Sequence, residues 1–529
     1  MSGVPRRELP RELEVHLELD EPDDLPALRT KAARALGVAP EALPEVMVQR
    51  RSLDARRGRV HFQVLLGLGP DAASAHAKAP LREVSRPARV IIVGDGPAGL
   101  FCAYQLARSG IASLVLERGK LVQPRRHDLK SLNRHGRVDG DSNYCFGEGG
   151  AGTYSDGKLY TRSHKRGNVR DVMEVLAEHG APPAILTEAR PHIGSNLLPK
   201  VVTALRESLE NVGVELRFGA RVVGLLSAGA GSERRVRGVK LADGSEIEAE
   251  HVVLATGHSA RDVFEMLRQE GVALESKGFA LGVRIEHPQP LINRIQYGKA
   301  AGHPKLPSAA YRLAETVDAH GVFSFCMCPG GFVVPASTDR EGLVVNGMSL
   351  SKRDSPFANS GLVVAVDPAE LSAFGFAGVF AGVEFQRSIE RAACAAGGGM
   401  LRAPATRVTD FLAGRASGTL PKSSYLPGLT PSDVADVLDA GGLRLSAFLK
   451  DALRRFDRTL RGYLTEEAVL IGVESRTSSP VRVLRDEQTL EARGLRRLYP
   501  CAEGAGYAGG IVSAALDGLS VADAIARAP

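Results

Sequence analysis

The sequence predicts an α/β fold that contains a nucleotide-binding β-α-β unit, and three stretches carry this prediction. Residues 88–118 contain a short apolar strand, a glycine turn, a helix and a second strand. Residues 498–526 repeat the order of strand, glycine turn and helix. Residues 1–85 show a separate β-α-β-β pattern. We therefore expect a Rossmann-like domain preceded by a small α+β module.

The first of these stretches contains three glycines whose spacing has a physical meaning. A strand at Arg89–Val93 runs into Gly94, Gly96 and Gly99, which stand at G-x-G-x-x-G spacing. The first glycine permits a tight turn, the second lets the backbone approach a pyrophosphate, and the third lets the helix pack close to the strand. The spacing therefore predicts a dinucleotide site.

The helix and the second strand of this stretch complete the prediction. Apolar residues recur at helical spacing from Pro97 to about Ser109, and the free N–H groups near Pro97 and Ala98 favour phosphates. A second strand ends on Glu117, where a carboxylate accepts hydrogen bonds from ribose hydroxyls. At this point the dinucleotide is either FAD or NAD.

Composition sets limits on the class of protein. The chain has 529 residues, of which 44% are apolar and 24% charged, as in soluble globular proteins. A net charge of +6 makes no case for nucleic acid. Six cysteines without regular spacing fit a reducing compartment. No apolar run resembles a signal peptide or a membrane span, so we expect a cytoplasmic protein without a membrane partner.

The amino-terminal module is predicted from alternating and helical patterns. Its elements are expected at Leu13–Leu19, Leu25–Leu36, Glu45–Leu53 and Arg59–Leu66. Four arginines cluster near its last turn, at Arg50, Arg51, Arg56 and Arg57. They either contact an acidic partner or RNA, or they form a solvated hairpin tip. Residues 72–86 are rich in alanine and proline and are expected to be a linker.

A basic segment and a glycine-rich segment follow Glu117. Residues 120–137 are predicted to form a loop or a short helix. Arg125 in this segment and Arg118 just before it either reach phosphates or are exposed. Residues 146–159 read FGEGGAGTYSDGKL. This glycine content excludes a stable helix or strand, and it predicts either a flexible loop or a wall against a flat ring system.

The middle of the chain is less regular. Helices are predicted at Asn168–His179 and Leu197–Glu210, followed by a strand at Gly213–Phe218 and a meander of strands, and His251–Ala255 is a buried strand that enters Thr256-Gly257. Short strands and a helical stretch at Leu443–Tyr463 indicate a substrate domain over residues 266–465. The pair Cys326 and Cys328 is either a redox or metal site or a pair of small hydrophobes.

The carboxy-terminal stretch returns to the cofactor. A strand at Leu498–Cys501 is followed by the glycine-rich turn 502–510 and a helix from Ile511 to Ala526. A second helix N-terminus, about four hundred residues after the first, suggests one long ligand held at both ends. FAD fits that description better than NAD.

Several motifs together resemble a known family. GDGPAGL with LER, FGEGGAGTYSDGKL, ATGHSARDVFEML, FSFCMCPGG, GVESRTSSPVR and YPCAEGAGYAGGIVSAALDG are similar to the uncharacterised FAD-dependent dehydrogenases, also called NAD(P)/FAD-dependent oxidoreductases. The resemblance implies a glutathione-reductase-type FAD-binding domain over 86–265 and 466–529, an inserted α+β substrate domain over 266–465 and the β-α-β-β domain over 1–85. Where many relatives carry Gly-Asp in the last motif, this chain has Glu503-Gly504.

The resemblance and the patterns together give a set of expected FAD-binding residues. These residues are Gly94, Gly96, Pro97, Ala98, Gly99, Glu117, Arg118, Arg125, Gly149, Gly150, Gly152, Ser155, Asp156, Thr256, Gly257, Glu503, Gly504, Gly509, Gly510 and Ile511. By this likeness, the first glycines and Glu117 hold the ADP half. The loop glycines at 149–152 and the turn at 503–510 lie near the ribityl chain and the flavin.

The expected activity is transfer of a hydride or two electrons between a small-molecule substrate and the flavin, with NAD(P)H as a transient donor. His258 is the expected proton shuttle, and Lys158 or Arg476 would stabilise negative charge on the reduced ring. Further candidates around the ring are Ser155, Asp156, Ser259, Arg261, Glu474 and Ser478. Two alternatives stay open. One is a flavin-containing sensor whose amino-terminal module docks RNA or a protein, and the other is an NAD-dependent dehydrogenase.

Overall fold

The computed structural model describes residues 9–69, 79–160 and 167–528. The amino-terminal module has the predicted β-α-β-β order. Its elements are β1 (Glu12–Glu18), α1 (Leu25–Leu36), β2 (Val46–Asp54) and β3 (His61–Leu68). The strands form an antiparallel sheet in the order β1-β3-β2, and α1 covers it. The helix begins at Asp24, whose side chain accepts a hydrogen bond from the Ala27 N–H, and it ends at Gly37 in the left-handed region.

The next part of the chain contains the predicted nucleotide-binding unit. Its elements are β4 (Val90–Val93), α2 (Pro97–Arg108), β5 (Ser113–Glu117), α3 (Val122–His135), α4 (Val169–Glu178), α5 (Leu198–Asn211), β6 (Glu215–Phe218), β7 (Val222–Ala228), β8 (Arg235–Leu241), β9 (Glu246–Glu248), β10 (His251–Leu254), α6 (Arg261–Gln269) and β11 (Leu274–Ser276).

The remaining part of the chain is richer in antiparallel strands. Its elements are β12 (Phe279–Pro288), α7 (Gln289–Tyr297), β13 (Ala314–Val317), β14 (His320–Cys328), β15 (Gly331–Pro335), β16 (Val345–Ser349), β17 (Phe357–Val366), α8 (Pro368–Leu371), α9 (Ala381–Gly397), β18 (Ala403–Arg407), α10 (Val408–Ala413), β19 (Leu429–Pro431), α11 (Val434–Leu438), α12 (Leu445–Thr459), β20 (Val469–Glu474), β21 (Val481–Val483), β22 (Leu498–Pro500) and α13 (Ile511–Arg527).

Two sheets organise these elements. A five-stranded parallel sheet has the order β22-β10-β4-β5-β6, and a seven-stranded sheet has the order β13-β14-β17-β12-β20-β18-β19. The second sheet is antiparallel except for the β18–β19 pair. Strands β11 and β21 pair with each other. Strand β11 precedes the first passage of the chain into the seven-stranded sheet, and β21 follows its return.

Alternating residues of the parallel sheet face two different layers, because successive side chains of a strand point to opposite faces. Val90 and Ile92 of β4 pack with the helices α2, α4, α5 and α13. Ile91 and Val93 pack with the antiparallel meander β7-β8-β9. The strand is therefore buried on both faces, as its continuous apolar run predicts.

The structure differs from the sequence expectation in three places. Helix α3 has 14 residues where a loop or a short helix was expected. Strand β20 is a member of the seven-stranded sheet, whereas the sequence boundary at 465/466 assigned it to the nucleotide-binding domain. Residues 79–86 of the expected linker pack on that domain, and the Val84 N–H donates to the Val212 carbonyl. The rest of the expected linker, residues 72–78, lies outside the described residues.

Two of the four arginines of the basic cluster are paired within the amino-terminal module. The Arg51 guanidinium pairs with Asp23 and lies over the Phe62 ring, and Arg56 pairs with Asp54. Arg50 is exposed, and the side chain of Arg57 lies outside the described residues. No helix among the residues that the structure describes is long and apolar enough to cross a membrane.

Candidate FAD site

A cavity follows the carboxyl ends of the parallel strands and reaches the seven-stranded sheet. Its walls include residues that end or follow β4, β5, β10 and β22, and residues of β14, β15, β16 and β20 at the other end. In parallel α/β sheets, ligands bind at the carboxyl ends of the strands. The cavity therefore lies where the fold places a ligand.

The three glycines of the first turn have different surroundings. An added Cβ at Gly94 would lie 2.4 Å from the Ala255 carbonyl oxygen, and one at Gly99 would lie 1.9 Å from the Gly94 carbonyl oxygen. These two positions exclude side chains because backbone approaches backbone. A Cβ at Gly96 would meet no other protein atom within 4 Å, although Gly96 lines the cavity. Gly96 thus leaves open space for a ligand beside the turn.

Two helix N-termini flank this open space. Helix α2 begins after Gly96 and helix α13 after Gly510, and within the described chain neither N-terminus is capped by a side chain. An added Cβ at Gly518 of α13 would lie 2.2 Å from the Ala98 carbonyl oxygen, so this glycine lets the two helices pack closely. Uncapped N–H groups and two helix dipoles then face one cavity, which favours a diphosphate.

The carboxylate of Glu117 fixes the turn and the glycine-rich loop at one end of the cavity. It accepts hydrogen bonds from the N–H groups of Asp95 (3.0 Å), Gly119 (2.9 Å) and Gly147 (2.8 Å). Glu117 also lines the cavity, so lone pairs beyond these three bonds remain for ribose hydroxyls. The neighbouring Asp95 is buried, and burial together with the charges of Glu117 and Glu148 raises its pKa well above the usual range.

Arg125 holds the glycine-rich loop from inside the protein. Its fully buried guanidinium donates to the carbonyl oxygens of Asn143, Tyr144, Glu148 and Gly150 at 2.8–3.2 Å. It does not line the cavity. These four bonds fix the loop, whose residues Gly150 and Gly152 do line it.

Arg118 lines the cavity but is already paired. Its guanidinium contacts Asp141 at 2.8 Å and Asp262 at 3.1 Å, and it lies over the Phe146 ring. These partners leave it less free to reach a phosphate than the sequence suggested.

Comparison with known proteins gives the family. The model "FAD-dependent protein, C-terminal domain-like" matches residues 278–477, and the model "Pyridine nucleotide-disulphide oxidoreductase" matches residues 171–283. A curated protein of Clostridium beijerinckii, described as uncharacterized, is 40% identical over 533 residues that cover 97% of each chain. This chain belongs to the FAD-dependent oxidoreductase family. Residues 9–67 match a domain of unknown function.

Two solved structures are also similar to the chain. CtdE in complex with FAD is 12% identical, with 83% of this chain and 84% of that chain covered and a TM-score of 0.33. A geranylgeranyl bacteriochlorophyll reductase-like protein from Thermoplasma acidophilum is 13% identical, with 84% and 78% covered and a TM-score of 0.33.

The cavity of this flavoprotein fits FAD in its donors and in its open space. Three lining glycines, Gly96, Gly257 and Gly510, leave their side-chain positions free, since an added Cβ would find no protein atom within 4 Å at the first two and only Ser513 Oγ at 3.9 Å at the third. They lie beside the uncapped helix N-termini. A ligand that extends from Glu117 past both helices to the seven-stranded sheet has the elongated form of FAD.

The sequence-predicted residues divide into two groups. Those that line the cavity are Gly94, Gly96, Pro97, Ala98, Glu117, Arg118, Gly150, Gly152, Ser155, Thr256, Gly257, His258, Arg476, Glu503, Gly510 and Ile511. Those that lie outside the lining are Gly99, Arg125, Gly149, Asp156, Lys158, Gly504 and Gly509. Members of the second group still shape the wall: an added Cβ at Gly504 would lie 2.8 Å from the backbone of Gly257.

His258 is held as a neutral hydrogen-bond donor. Its Nε2 lies 2.7 Å from the Arg476 carbonyl oxygen, so this nitrogen carries a hydrogen and donates it. Burial, followed by the charges of Arg476 and Arg261, lowers the pKa of His258 to about 3. The proton-shuttle role predicted for His258 is therefore not favoured by its surroundings.

Arg476 lies in a group of two arginines and two carboxylates. Its guanidinium pairs with Glu390 at 3.1 Å, and Arg261 pairs with the same carboxylate at 2.8 Å. Burial alone would raise the pKa of Glu390, but the two guanidinium groups outweigh it and lower the pKa to about 2. Arg476 also lies 3.8 Å from Asp339, so two carboxylates balance the two guanidinium groups. The role predicted for Arg476 toward the reduced ring stays a prediction.

Lys158 lies behind the cavity wall. Its Nζ is 3.4 Å from Asp156 and 3.8 Å from the Cys328 Sγ. Asp156 also pairs with Arg353 at 2.6 Å and accepts a hydrogen bond from Ser349. Of the other ring candidates, Ser259 and Glu474 line the cavity, whereas Arg261 and Ser478 do not.

Sequence reasoning missed Arg284, which organises the far end of the cavity. This arginine is fully buried in β12, where its Nε donates to Glu474 at 2.6 Å and its Nη groups donate to the Cys326 carbonyl oxygen at 2.9 and 3.2 Å. A single arginine within the apolar run ALGVRI was the available signal, because a buried charge requires a partner.

Proposed function

We propose that this protein transfers a hydride or two electrons between the flavin of bound FAD and a small molecule held against the seven-stranded sheet. The observation that carries the proposal is the continuous cavity, which joins a ribose-and-diphosphate end at Glu117 and Gly96 to a second end at Glu474 and Asn346. FAD supplies the electron-transfer chemistry when bound. The protein supplies binding, orientation and proton transfer.

The strand order supports a more specific domain arrangement. We propose a glutathione-reductase-type FAD domain made of the five-stranded parallel sheet and its meander, with the seven-stranded sheet inserted between β11 and β21. The sheet order and the β11–β21 pairing support this arrangement. The substrate then binds between the two sheets.

We assign proton transfer in this reaction to Glu474 rather than to His258. Glu474 lines the cavity, and Arg284 binds only its Oε2, while Oε1 has no hydrogen-bond partner among the described residues. Burial raises the pKa of Glu474 to about 7 against the opposing charges of Arg284 and Lys158. A carboxyl with this pKa can both give and take a proton near neutral pH.

The substrate end is mostly apolar around these groups. Val334, Ala336, Val344 and Val345 line it together with Phe325. Such walls exclude water from a reduced flavin and favour a substrate with an apolar body and one group that exchanges a proton with Glu474.

An anaerobic titration tests the proposed function. The purified protein is expected to contain bound flavin, and addition of NADH or NADPH is expected to bleach its absorbance bands. A preparation without flavin would overturn the proposal. If the flavin is present and neither nucleotide bleaches it, NAD(P)H is excluded as the donor and organic substrates are to be screened in the same assay.

Infrared difference spectroscopy tests the role of Glu474 without a known substrate. Glu503 lines the same cavity and burial raises its pKa to about 7 as well, so the comparison is made in a Glu503→Gln background. There the band of a protonated carboxyl is expected to disappear as the pH rises through about 7, and adding Glu474→Gln is expected to remove this band. Glu265→Gln, at a partly exposed carboxylate on α6, is the matched control in that background and is expected to leave the band unchanged. A band that persists in the variant with both Glu503→Gln and Glu474→Gln would contradict the assignment.

A further inference from the structure

The two cysteines at the end of β14 lie on a β-bulge at the far end of the cavity. Strand β14 pairs regularly with β17 up to Phe325 opposite Gly361, and the next pair is Cys328 opposite Asn359. Two residues of β14, Cys326 and Met327, therefore face one residue of β17. Bulges re-aim side chains and are frequent next to active sites.

Cys326 is held in an unusual backbone conformation. Its φ angle is +42°, which residues with a side chain rarely adopt. The buried Arg284 binds its carbonyl oxygen through both Nη atoms, and an added Cβ at Gly347 would lie only 2.4 Å from Nη1 of this arginine. Such a conformation persists where the surroundings impose it, and it is concentrated at functional sites.

The two thiols have different surroundings. Cys326 lines the cavity and its side chain is accessible there, whereas Cys328 is buried behind it. The Cys328 Sγ lies 3.2 Å from the Cys326 carbonyl oxygen and 3.8 Å from the Lys158 Nζ. Burial raises the pKa of the Cys328 thiol, and the Lys158 ammonium group opposes this shift by stabilising the thiolate that attacks or leaves during disulfide exchange.

The separation of the two cysteines permits a disulfide. Two residues of fully extended chain span at most about 7 Å between Cα atoms. A bend at a bulge shortens such a span toward the range of about 4.4–6.8 Å that disulfides bridge, and the Cys328 Sγ lies 3.2 Å from the Cys326 carbonyl oxygen. The bulge therefore serves to present one thiol to the cavity and to keep the second within reach.

We propose that Cys326 and Cys328 form a redox-active dithiol that exchanges two electrons with the flavin. This proposal rests on the proposed function, which positions the flavin at this end of the cavity. In the oxidative direction, both S–H bonds break and one Sγ–Sγ bond forms. The two electrons and two protons pass to oxidised FAD. In the reverse direction, reduced FAD returns them and the disulfide opens.

The other cysteines lack this arrangement. Cys102 and Cys501 are buried in the core of the nucleotide-binding unit, and Cys394 lies on α9. Cys145 lines the cavity, and its Sγ donates a long hydrogen bond of 3.9 Å to the Ala336 carbonyl oxygen. It provides a matched control in the same cavity.

Electron counting on the holoprotein tests the proposal. Anaerobic titration with dithionite, starting from protein oxidised by ferricyanide, is expected to consume four electrons per flavin in the natural protein and in Cys145→Ser. The variants Cys326→Ser and Cys328→Ser are expected to consume two. Uptake of only two electrons by the natural protein would overturn the dithiol while leaving the flavoprotein function intact. A preparation without flavin would instead remove the proposed function.

A second readout does not depend on the flavin spectrum. After oxidation and denaturation, alkylation followed by peptide mass spectrometry is expected to find Cys326 and Cys328 unmodified and joined, and a dithiothreitol-treated sample is expected to show both alkylated. Alkylation of Cys326 and Cys328 in the oxidised sample would show that both thiols were free, and it would contradict the proposal. Serine variants that fold poorly would be recognised by their loss of flavin, and this peptide assay on the natural protein still decides the question.

Discussion

The carboxyl of Glu503 makes stability depend on pH in the FAD-free protein. Burial raises its pKa to about 7, although Lys277 acts in the opposite direction. Because the folded state binds this proton more tightly than the unfolded state, its contribution to stability is complete below pH about 4.5 and is lost as the pH rises through about 7. A shift of this size corresponds to at most about 3 kcal/mol.

Glu503→Gln tests this contribution. The free energy of unfolding from urea titrations is expected to decline less between pH about 5 and 7.5 than in the natural FAD-free protein. The decline that remains belongs to Glu474, whose pKa burial also raises to about 7. Glu248→Gln, at an exposed strand carboxylate, should reproduce the natural profile. Identical profiles for the natural protein and Glu503→Gln would show that the carboxyl keeps its ordinary pKa.

At the residue scale, local motifs could be interpreted and distant partners could not. The order strand, glycine turn and helix predicted the turn at Gly94 and the position of Glu117, because those roles depend on neighbours within about thirty residues. The roles of Arg284 and Glu474 depend on contact between residues 190 positions apart. No spacing rule indicates such a pair, and only the isolated charge in an apolar strand pointed to it.

At the scale of elements, the close packing of α2 on α13 sets the distance between the two helix N-termini. Gly518→Ala would place a methyl group against the Ala98 carbonyl oxygen and push the helices apart. Overpacking of this kind costs about 1–3 kcal/mol. We expect reduced flavin content on purification and a lower thermal unfolding midpoint.

Ser520→Ala on the same helix is the control for this substitution. Its hydroxyl donates only to the Leu516 carbonyl oxygen within the described chain, so stability is expected to change by about 0.5 kcal/mol or less. Normal flavin content and an unchanged midpoint in Gly518→Ala would show that the helices adjust without cost.

The contact between α3 and the glycine-rich loop gives a second prediction at this scale. Arg125→Met leaves the carbonyls of Asn143, Tyr144 and Gly150 without this donor, whereas Glu148 keeps its bond from the Thr153 hydroxyl. Each buried unsatisfied group costs about 1–3 kcal/mol. The dissociation constant for FAD, measured by quenching of flavin fluorescence, is expected to rise at least about tenfold. Lys130→Met, at an exposed position of α3, is expected to leave it unchanged. Equal affinities in the two variants would contradict the role of Arg125.

The length of α3 and the presence of β17 could not be predicted for related reasons. The buried positions Val122, Arg125, Leu129 and Leu132 follow a helical period, but one of them is an arginine, so the apolar pattern is interrupted. Strand β17 begins FANSG, which is typical of a turn. Its pairing with β12 and β14 on both sides outweighs that local preference.

At the scale of the whole molecule, the amino-terminal module is joined to the rest by apolar and polar contacts, and its Val60 packs in the core cluster of the seven-stranded sheet. The Arg51 N–H donates to the Thr187 carbonyl at 2.7 Å, and the Ala189 N–H donates to the Arg51 carbonyl at 2.8 Å. Lys305 pairs with Asp23 at 3.3 Å. None of the module residues that the structure describes lines the cavity.

Removal of residues 1–78 separates the two possible roles of this module. The deletion ends before Val84, whose N–H bonds to Val212 and whose side chain packs on the nucleotide-binding unit. Flavin content and NAD(P)H bleaching are expected to be retained, while the thermal midpoint falls by several degrees, on the order of 5 °C, because the docking surface of the module becomes exposed. Deletion of residues 1–85 serves as the comparison and is expected to lose further stability, because it also removes Val84. If the shorter deletion abolished flavin binding, the module would be part of the cofactor site, and its contacts with Thr187 and Lys305 would have to transmit that effect.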